Sequence, residues 1–429
     1  MAEPPTRVAL ACQGGGSHTA FTAGVLKRLL GDPRLAERVE IVGLSGTSGG
    51  AVCALLAWSA LREHAPELAG ERLDAYWEDV AATTPAEWAL NAWVLGAGAI
   101  QDVVATPAIS PYDAPWTEVA METFKRTLER QVDFGALAPR PGDDEDPLLL
   151  IGAVDVLSGA FKAFDSRRDR ITAETVLASA AIPTLFRAVR VGDGTYWDGL
   201  FSQNPPVRDL TDARPDEIWV IQINPTEAAA EPRTVMEIAD RRNELAGNLS
   251  LNQELQFIEK IDQLLETGEL DPHGRYRRIV VRVLELSRTR FSRSLGTASK
   301  LNRDPVFLRE LMEHGEARAE EFLVALAFED AWVRRDHEAV TGFFAEDAEL
   351  VSAAPFPAPG SYRGRDAIGA YVREHFADEV VMDLTRKQVA GAGVTWSVRV
   401  RGGAPPQGLA EAVFADGRVQ TLRLSAAGD

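Results

Sequence analysis

Twice near its N-terminus the chain passes from an apolar run, through glycine, into a helical pattern. Residues 7–12 stop at Gly14-Gly15-Gly16, and Phe21, Val25, Leu26, Leu29 and Leu30 then recur at helical spacing until Gly31-Asp32-Pro33 ends them. Residues 40–44 run into Ser45-Gly46-Thr47-Ser48-Gly49-Gly50, and a second helical stretch follows over 51–61. Neither run alternates apolar with polar, so both faces of each strand must be covered, and the order strand, loop, helix repeated requires parallel pairing. Further strand-like runs at 148–156, 160–164 and 217–223, with a helix at 173–181, carry this α/β pattern to Asn224.

The rest of the chain reads differently. Residues 234–324 are helical and charged, apart from a strand expected at 276–284. Beyond them come an amphipathic helix at 326–344, a strand at 348–352, a helix at 366–376 and several strands between 382 and 424. Helices followed by a run of strands describe a separate α+β unit, which puts a domain boundary near Val324, with one domain over 1–324 and the other over 325–429. The stretch 83–116 is rich in Ala, Pro and Gly and holds Trp88, Trp93 and Trp116. It reads either as an irregular packing insertion or as an apolar cover over a cleft. Residues 139–147 form an acidic Pro-Gly surface loop.

Charge narrows the partners. Lys and Arg number 45 against 64 Asp and Glu, a net −19, so a phosphate-tracking surface has little support and nucleic acid is not expected. An anionic membrane would be repelled at long range, although a local apolar patch could still meet lipid. Cys12 and Cys53 are too few for a disulfide framework and read as small buried hydrophobes of a reducing compartment. No leader or spanning run is evident, and a cytoplasmic location is expected.

The residues that could do chemistry gather at the two glycine loops. Gly46-Thr47-Ser48-Gly49-Gly50 is a G-x-S-x-G at a strand-to-helix junction, where Gly46, Gly49 and Gly50 leave room for a sharp turn presenting Ser48 as a nucleophile. A turn or phosphate loop without chemistry is the competing reading. The bare amides of Gly14, Gly15 and Gly16 suit an oxyanion hole. They fit a dinucleotide site less well, because Thr19 stands where that motif needs its last glycine. None of the six histidines has the setting of a triad base. The remaining candidate is Asp198, before Gly199, which taken alone reads as a turn aspartate but could accept a proton in a desolvated site.

Together, Gln13-Gly14-Gly15-Gly16-Ser17-His18, Gly46-Thr47-Ser48-Gly49-Gly50, Ala178-Ser179-Ala180-Ala181-Ile182-Pro183 and Asp198-Gly199 before Asn204-Pro205 resemble the patatin-like phospholipase family over residues 6–320. That resemblance implies a three-layer α/β/α fold and acyl-ester hydrolysis by a Ser48/Asp198 dyad, with the amides of Gly14 to Gly16 as oxyanion hole and no metal or cofactor. The chain departs from the family pattern at Gln13, His18, Thr19 and Leu200. Residues 325–429 resemble the polyketide-cyclase-like branch of the nuclear transport factor two-like superfamily, through Ala331-Trp332, Asp336, Phe343-Phe344-Ala345-Glu346-Asp347-Ala348 and Tyr362-Arg363-Gly364-Arg365. That implies a cone able to bind a small molecule or to form a homodimer. The partners expected are a lipid or other acyl ester and a transient membrane contact. A decayed, ligand-sensing protein and an acyltransferase to a non-water acceptor are the alternatives.

Overall fold

A computed structural model of the chain describes residues 4–426 apart from 102–109, 115, 139–145, 184, 229, 272–275, 288–294, 376–379, 391–392, 401–406 and 416. Most of the acidic loop at 139–147, and part of the stretch 83–116, therefore lie outside the described residues.

β1 (Thr6–Cys12) leads through a 3-10 turn, Gly16–Thr19, into α1 (Ala20–Leu30), and α2 (Pro33–Ala36) precedes β2 (Val39–Gly46) and α3 (Gly49–Arg62). Helices α4 (Leu68–Val80), α5 (Pro85–Gln101) and α6 (Trp116–Gln131) follow. Then come β3 (Leu148–Asp155), β4 (Phe161–Asp165), α7 (Ala173–Ser179), β5 (Val189–Val191), β6 (Gly194–Asp198), β7 (Glu217–Gln222), α8 (Val235–Glu266) and β8 (Val280–Glu285). The C-terminal unit comprises α9 (Pro305–Val333), α10 (His337–Gly342), β9 (Phe344–Ser352), β10 (Gly360–Arg363), α11 (Arg365–His375), β11 (Val380–Ala390), β12 (Gly393–Val400), β13 (Gln407–Ala415) and β14 (Arg418–Ala426).

Strands β3, β2, β1, β7 and β8 lie side by side in parallel, the arrangement expected for the apolar runs of the first four. Val8, Leu10 and Cys12 pack into the core shared with α1, α3 and α9, while Ala9 and Ala11 join the opposite core against Leu251 and Leu255 of α8. The period-two alternation of the strand thus separates the two faces of a three-layer α/β/α arrangement. Both cysteines are fully buried, and burial pushes the Cys53 thiol up to about 12, so they behave as the inert hydrophobes expected.

Three elements differ from the sequence reading. The stretch 83–116 is not irregular throughout, since α5 occupies Pro85–Gln101 with Thr84 and Glu87 capping each other's amides. The helix expected to begin at 326 is the last eight residues of α9, which runs without a break through the boundary near Val324. It stops at Val333, where Arg335 turns with φ +58°, and Phe344 opens a strand instead of ending a helix.

The C-terminal strands run β10-β9-β14-β13-β12-β11, and β11 then pairs in parallel with β8, from Arg386 opposite Val281 to Val389 opposite Leu284. One ladder therefore passes from the first unit into the second. The interior of the cone is filled around Phe328, which meets the rings of Trp332, Phe343, Phe344, Trp396 and Phe414. Where the units join, Arg282 of β8 pairs with Glu217 of β7 at 2.5 Å and with Glu329 of α9 at 2.8 Å, all three little exposed. Trp219 donates its indole N–H to Glu217 and Trp396 donates its own to Glu329, so the network is stitched from both sides. An adjoining cavity of about 280 Å³ lies at the foot of the sheet, with Trp219, Leu323, Leu326 and Val333 among its walls. Its charged groups are already matched, Arg34 to Asp32, Arg38 to Asp330 and Arg282 to its two glutamates.

Candidate active site

Ser48 stands between the end of β2 and the first turn of α3, at φ +56° and ψ −130°, a conformation unfavourable for an L side chain. The surroundings hold it there. A Cβ on Gly46 would lie 2.4 Å from the Gly50 carbonyl, and one on Gly50 would lie 2.3 Å from that of Cys12. Only glycine lets the helix start this close to the strands. The Ser48 amide donates to Ser179 Oγ at 2.9 Å, and Ser179 in turn donates to the Gly152 carbonyl at 2.6 Å. Thr47 Oγ1 donates to the Gln203 carbonyl at 2.7 Å. Elements from β3, α7 and the segment after β6 therefore clamp one turn, and the N-terminus of α3 directs its partial positive charge to that place.

Asp198 ends β6, the antiparallel neighbour of β3, and is 1% exposed. Its amide donates to the Ala181 carbonyl, and its Oδ1 accepts the Leu200 amide at 2.8 Å, the turn role that its sequence context suggests. The same carboxyl meets the Ser48 hydroxyl. Burial pushes it up to about 7, against the opposing pull of the Leu200 amide, the Ser48 hydrogen bond and the charge of Lys300. Two residues far apart in sequence are thus brought together at the carboxyl end of the sheet, where open α/β folds place their ligands. Among the described residues no set of three His, Cys, Asp or Glu could hold a metal ion.

The glycine loop divides its work unequally. The Gly14 amide donates to Asn204 Oδ1 at 2.7 Å. That corrects the expectation that all three amides serve one oxyanion: Gly14 is occupied, and Gly15 and Gly16 keep amides that meet no described acceptor. Gln13, a departure from the family pattern, fastens the loop. Its Oε1 accepts the amides of Ile223 and Asn224, each at 2.8 Å, and its Nε2 donates to Asn248 Oδ1. Thr19 donates its hydroxyl to the Gly16 carbonyl at 2.6 Å, a local bond that suits the tight turn. Leu200 contributes through its amide alone to Asp198.

Trp88 and Trp93 lie on α5 and Trp116 opens α6. They are 41%, 69% and 60% exposed, so they face outward. Asn91 is the buried side of α5. It donates to Asn302 Oδ1 and accepts the Arg303 amide, just after a 3-10 helix, Thr297–Leu301, that itself covers the glycine loop. Sequence reasoning did not single out this covering segment, Lys300 or Asn224. They sit in loops whose composition carries no motif.

Residues 10–211 match the family model of the patatin-like phospholipases, and residues 325–425 match that of the SnoaL-like domain. Among solved structures, a nuclear transport factor two-like protein of unknown function from Mesorhizobium loti is 21% identical, covering 25% of this chain and 92% of its own, with a TM-score of 0.23. A second such protein, from Burkholderia xenovorans, is 19% identical, covering 25% of this chain and 88% of its own, with a TM-score of 0.21. No curated protein sequence matches the chain. In line with the glycine loops at one end and the cone at the other, residues 10–211 are similar to the patatin-like phospholipases and residues 325–425 to the SnoaL-like domain.

Proposed function

We propose that the chain is a serine acyl-ester hydrolase acting on lipid or related acyl esters, with Ser48 as nucleophile and Asp198 as its base. The observation that carries this reading is the buried Asp198 carboxyl, pushed up to about 7, against a serine hydroxyl fixed at a strained strand-to-helix turn. Ser48 Oγ bonds to the acyl carbon as its proton passes to Asp198, and the carbonyl electron pair moves onto oxygen, a charge assigned to the Gly15 and Gly16 amides, which meet no described acceptor. Collapse breaks the ester C–O bond, and the leaving alkoxide takes the proton from Asp198. Water then attacks the acyl-Ser48 ester, Asp198 again receives and returns the proton, and the free acid and Ser48 are released.

The direct test is Ser48→Ala. Hydrolysis of short p-nitrophenyl esters is expected to fall by about a thousandfold or more, with labelling by a fluorophosphonate probe lost and thermal unfolding little changed. Full activity in this variant would remove Ser48 from the mechanism.

Access to lipid is assigned to α5. On a chain of net charge −19, attraction to anionic headgroups cannot supply the contact, whereas Trp88, Leu90 and Trp93 offer exposed apolar area. Replacing Trp88 and Trp93 by Ser is expected to weaken sedimentation with phosphatidylcholine vesicles by about tenfold or more, while hydrolysis of a soluble ester is retained. Equal vesicle binding by both proteins would discard α5 as the contact.

A further inference from the structure

The 3-10 helix Thr297–Leu301 lies outside the matched patatin-like stretch, yet it is built into the same centre. The Lys300 carbonyl occupies the space beside Gly16, 2.2 Å from where a Cβ would be, and Gly16 itself turns at φ +57°. Ser299 donates its hydroxyl to the Gly296 carbonyl, which leaves its oxygen to accept His18 Nε2–H at 2.8 Å. The segment is therefore pinned on the loop through both backbone and side chain.

From that platform Lys300 Nζ donates to Asn224 Oδ1 at 2.8 Å. Asn224 is rigid in turn, with its amide held by Gln13 Oε1 and its carbonyl accepting Asn248 Nδ2. The ammonium is thus fixed at the end of β7, on the Asp198 side of the centre: a Cβ on Gly247 would meet both Asn224 Nδ2 at 2.7 Å and the Leu200 side chain at 3.4 Å, and the Leu200 amide is the one that Asp198 accepts. The groups that bear on that carboxyl come from three directions: the neutral Leu200 amide from its own turn, the neutral Ser48 hydroxyl from α3, and the Lys300 charge from the covering segment. His18, the titratable side chain of the glycine loop, is turned to Ser299 and Phe307.

We propose that Lys300 is a positioning residue whose fixed charge, held on Asn224, keeps Asp198 ionised so that it can take the proton of Ser48. A buried carboxylate in an acidic protein has the surrounding field against it, and one well-placed cation offsets that. The proposal rests on the hydrolase reading of Ser48 and Asp198 and adds the condition under which that pair is competent.

The experiment compares pH profiles of kcat/KM for the full chain with Lys300→Met and Lys300→Arg, using a soluble p-nitrophenyl ester. In Lys300→Met the acid limb is expected to move up by about one pH unit, a loss of about fivefold at pH 7 and about tenfold at pH 6 that recovers by about pH 9. Lys300→Arg keeps the charge and is expected to keep the wild-type limb. A loss equal at every pH, or an arginine variant shifted as far as the methionine variant, would overturn the proposal. As a measurement independent of turnover, the Asp198 carboxyl is followed by carbon NMR, its signal assigned by its disappearance in Asp198→Asn. Its titration midpoint should rise in Lys300→Met, and an unchanged midpoint also overturns the proposal. Wild-type protein that neither hydrolyses the ester nor labels with fluorophosphonate would instead defeat the hydrolase reading, with the NMR titration still deciding whether Lys300 acts on Asp198.

Discussion

Asp198→Asn is expected to abolish turnover and, at the same time, to make the folded protein more stable above neutral pH. Asparagine keeps an oxygen to accept the Leu200 amide but cannot take the proton of Ser48, so kcat is expected to fall by about a thousandfold or more. The stability effect follows from proton linkage. Burial pushes the folded carboxyl up to about 7 from its ordinary 3.8, so the folded state holds the extra proton between those values. Wild-type stability therefore declines, through this group, as pH rises from about 4 to about 7, and is level on either side. A difference of that size corresponds to an upper limit of about 4 kcal/mol. Denaturant unfolding of both proteins at pH 5 and pH 8 measures it: the variant should gain on the wild type between the two. A gap that does not widen would mean the carboxyl is not held at a cost. The same titration places the acid limb of wild-type kcat/KM near pH 7, with activity rising to a plateau above it.

Arg282→Met carries the largest expected loss of stability. The guanidinium is little exposed and bonds to both Glu217 and Glu329. Burial alone would lower its pKa, and the two carboxylates overcome that and raise it. Removing the cation leaves two facing carboxylates in a dry junction, and breaking a buried pair in this way costs about 3–5 kcal/mol. Calorimetry should show a single transition moved down, with ester hydrolysis lost over the same temperatures, because β7, β8, α9 and β12 all meet at this network. Two separate transitions would show that the units fold independently. Replacing Glu217, Arg282 and Glu329 together by Gln, Met and Gln should recover most of the loss, since the charges go while the amide oxygens still accept the Trp219 and Trp396 indole N–H groups.

The parallel sheet and the Ser48 turn were legible because their signals are local. An apolar run ending in glycine, followed by helical spacing, states both the strand and its sharp exit, and Ser48 occupies the place that pattern assigns. That Asp198 lies beside Ser48 could be expected only from the order of four motifs, since its own neighbourhood reads as a turn and its Oδ1 does accept the Leu200 amide of one. Helix α5 carried a readable start, Thr84-Pro85-Ala86-Glu87, which its alanine- and glycine-rich continuation masked. What remained illegible depends on long-range placement. Nothing local tells that Asn204 takes the Gly14 amide, or that a loop near residue 300 covers a loop near residue 16. Near Val324 helix α9 only changes partners, from α1 to the cone, while its buried positions Arg318, Phe322, Ala325, Glu329 and Trp332 keep helical spacing, so its continuity had to be read across a boundary drawn from the later strands.

That shared helix, with the ladder from β8 to β11, bears on how the protein can be made. A ribosome releasing the chain in order exposes β8 as an open edge, with Arg282 facing Glu217 alone, until Glu329 and then β11 emerge. A protein cut at residue 324 would end inside a helix, with an unpaired strand of the kind that recruits neighbouring chains into aggregates. Completion of the sheet waits for the C-terminal unit, so an unfinished chain lacks the framework on which the Ser48 turn is carried. Synthesis of this protein thus has a built-in order: the final strands are made last and close the sheet that the first residues began.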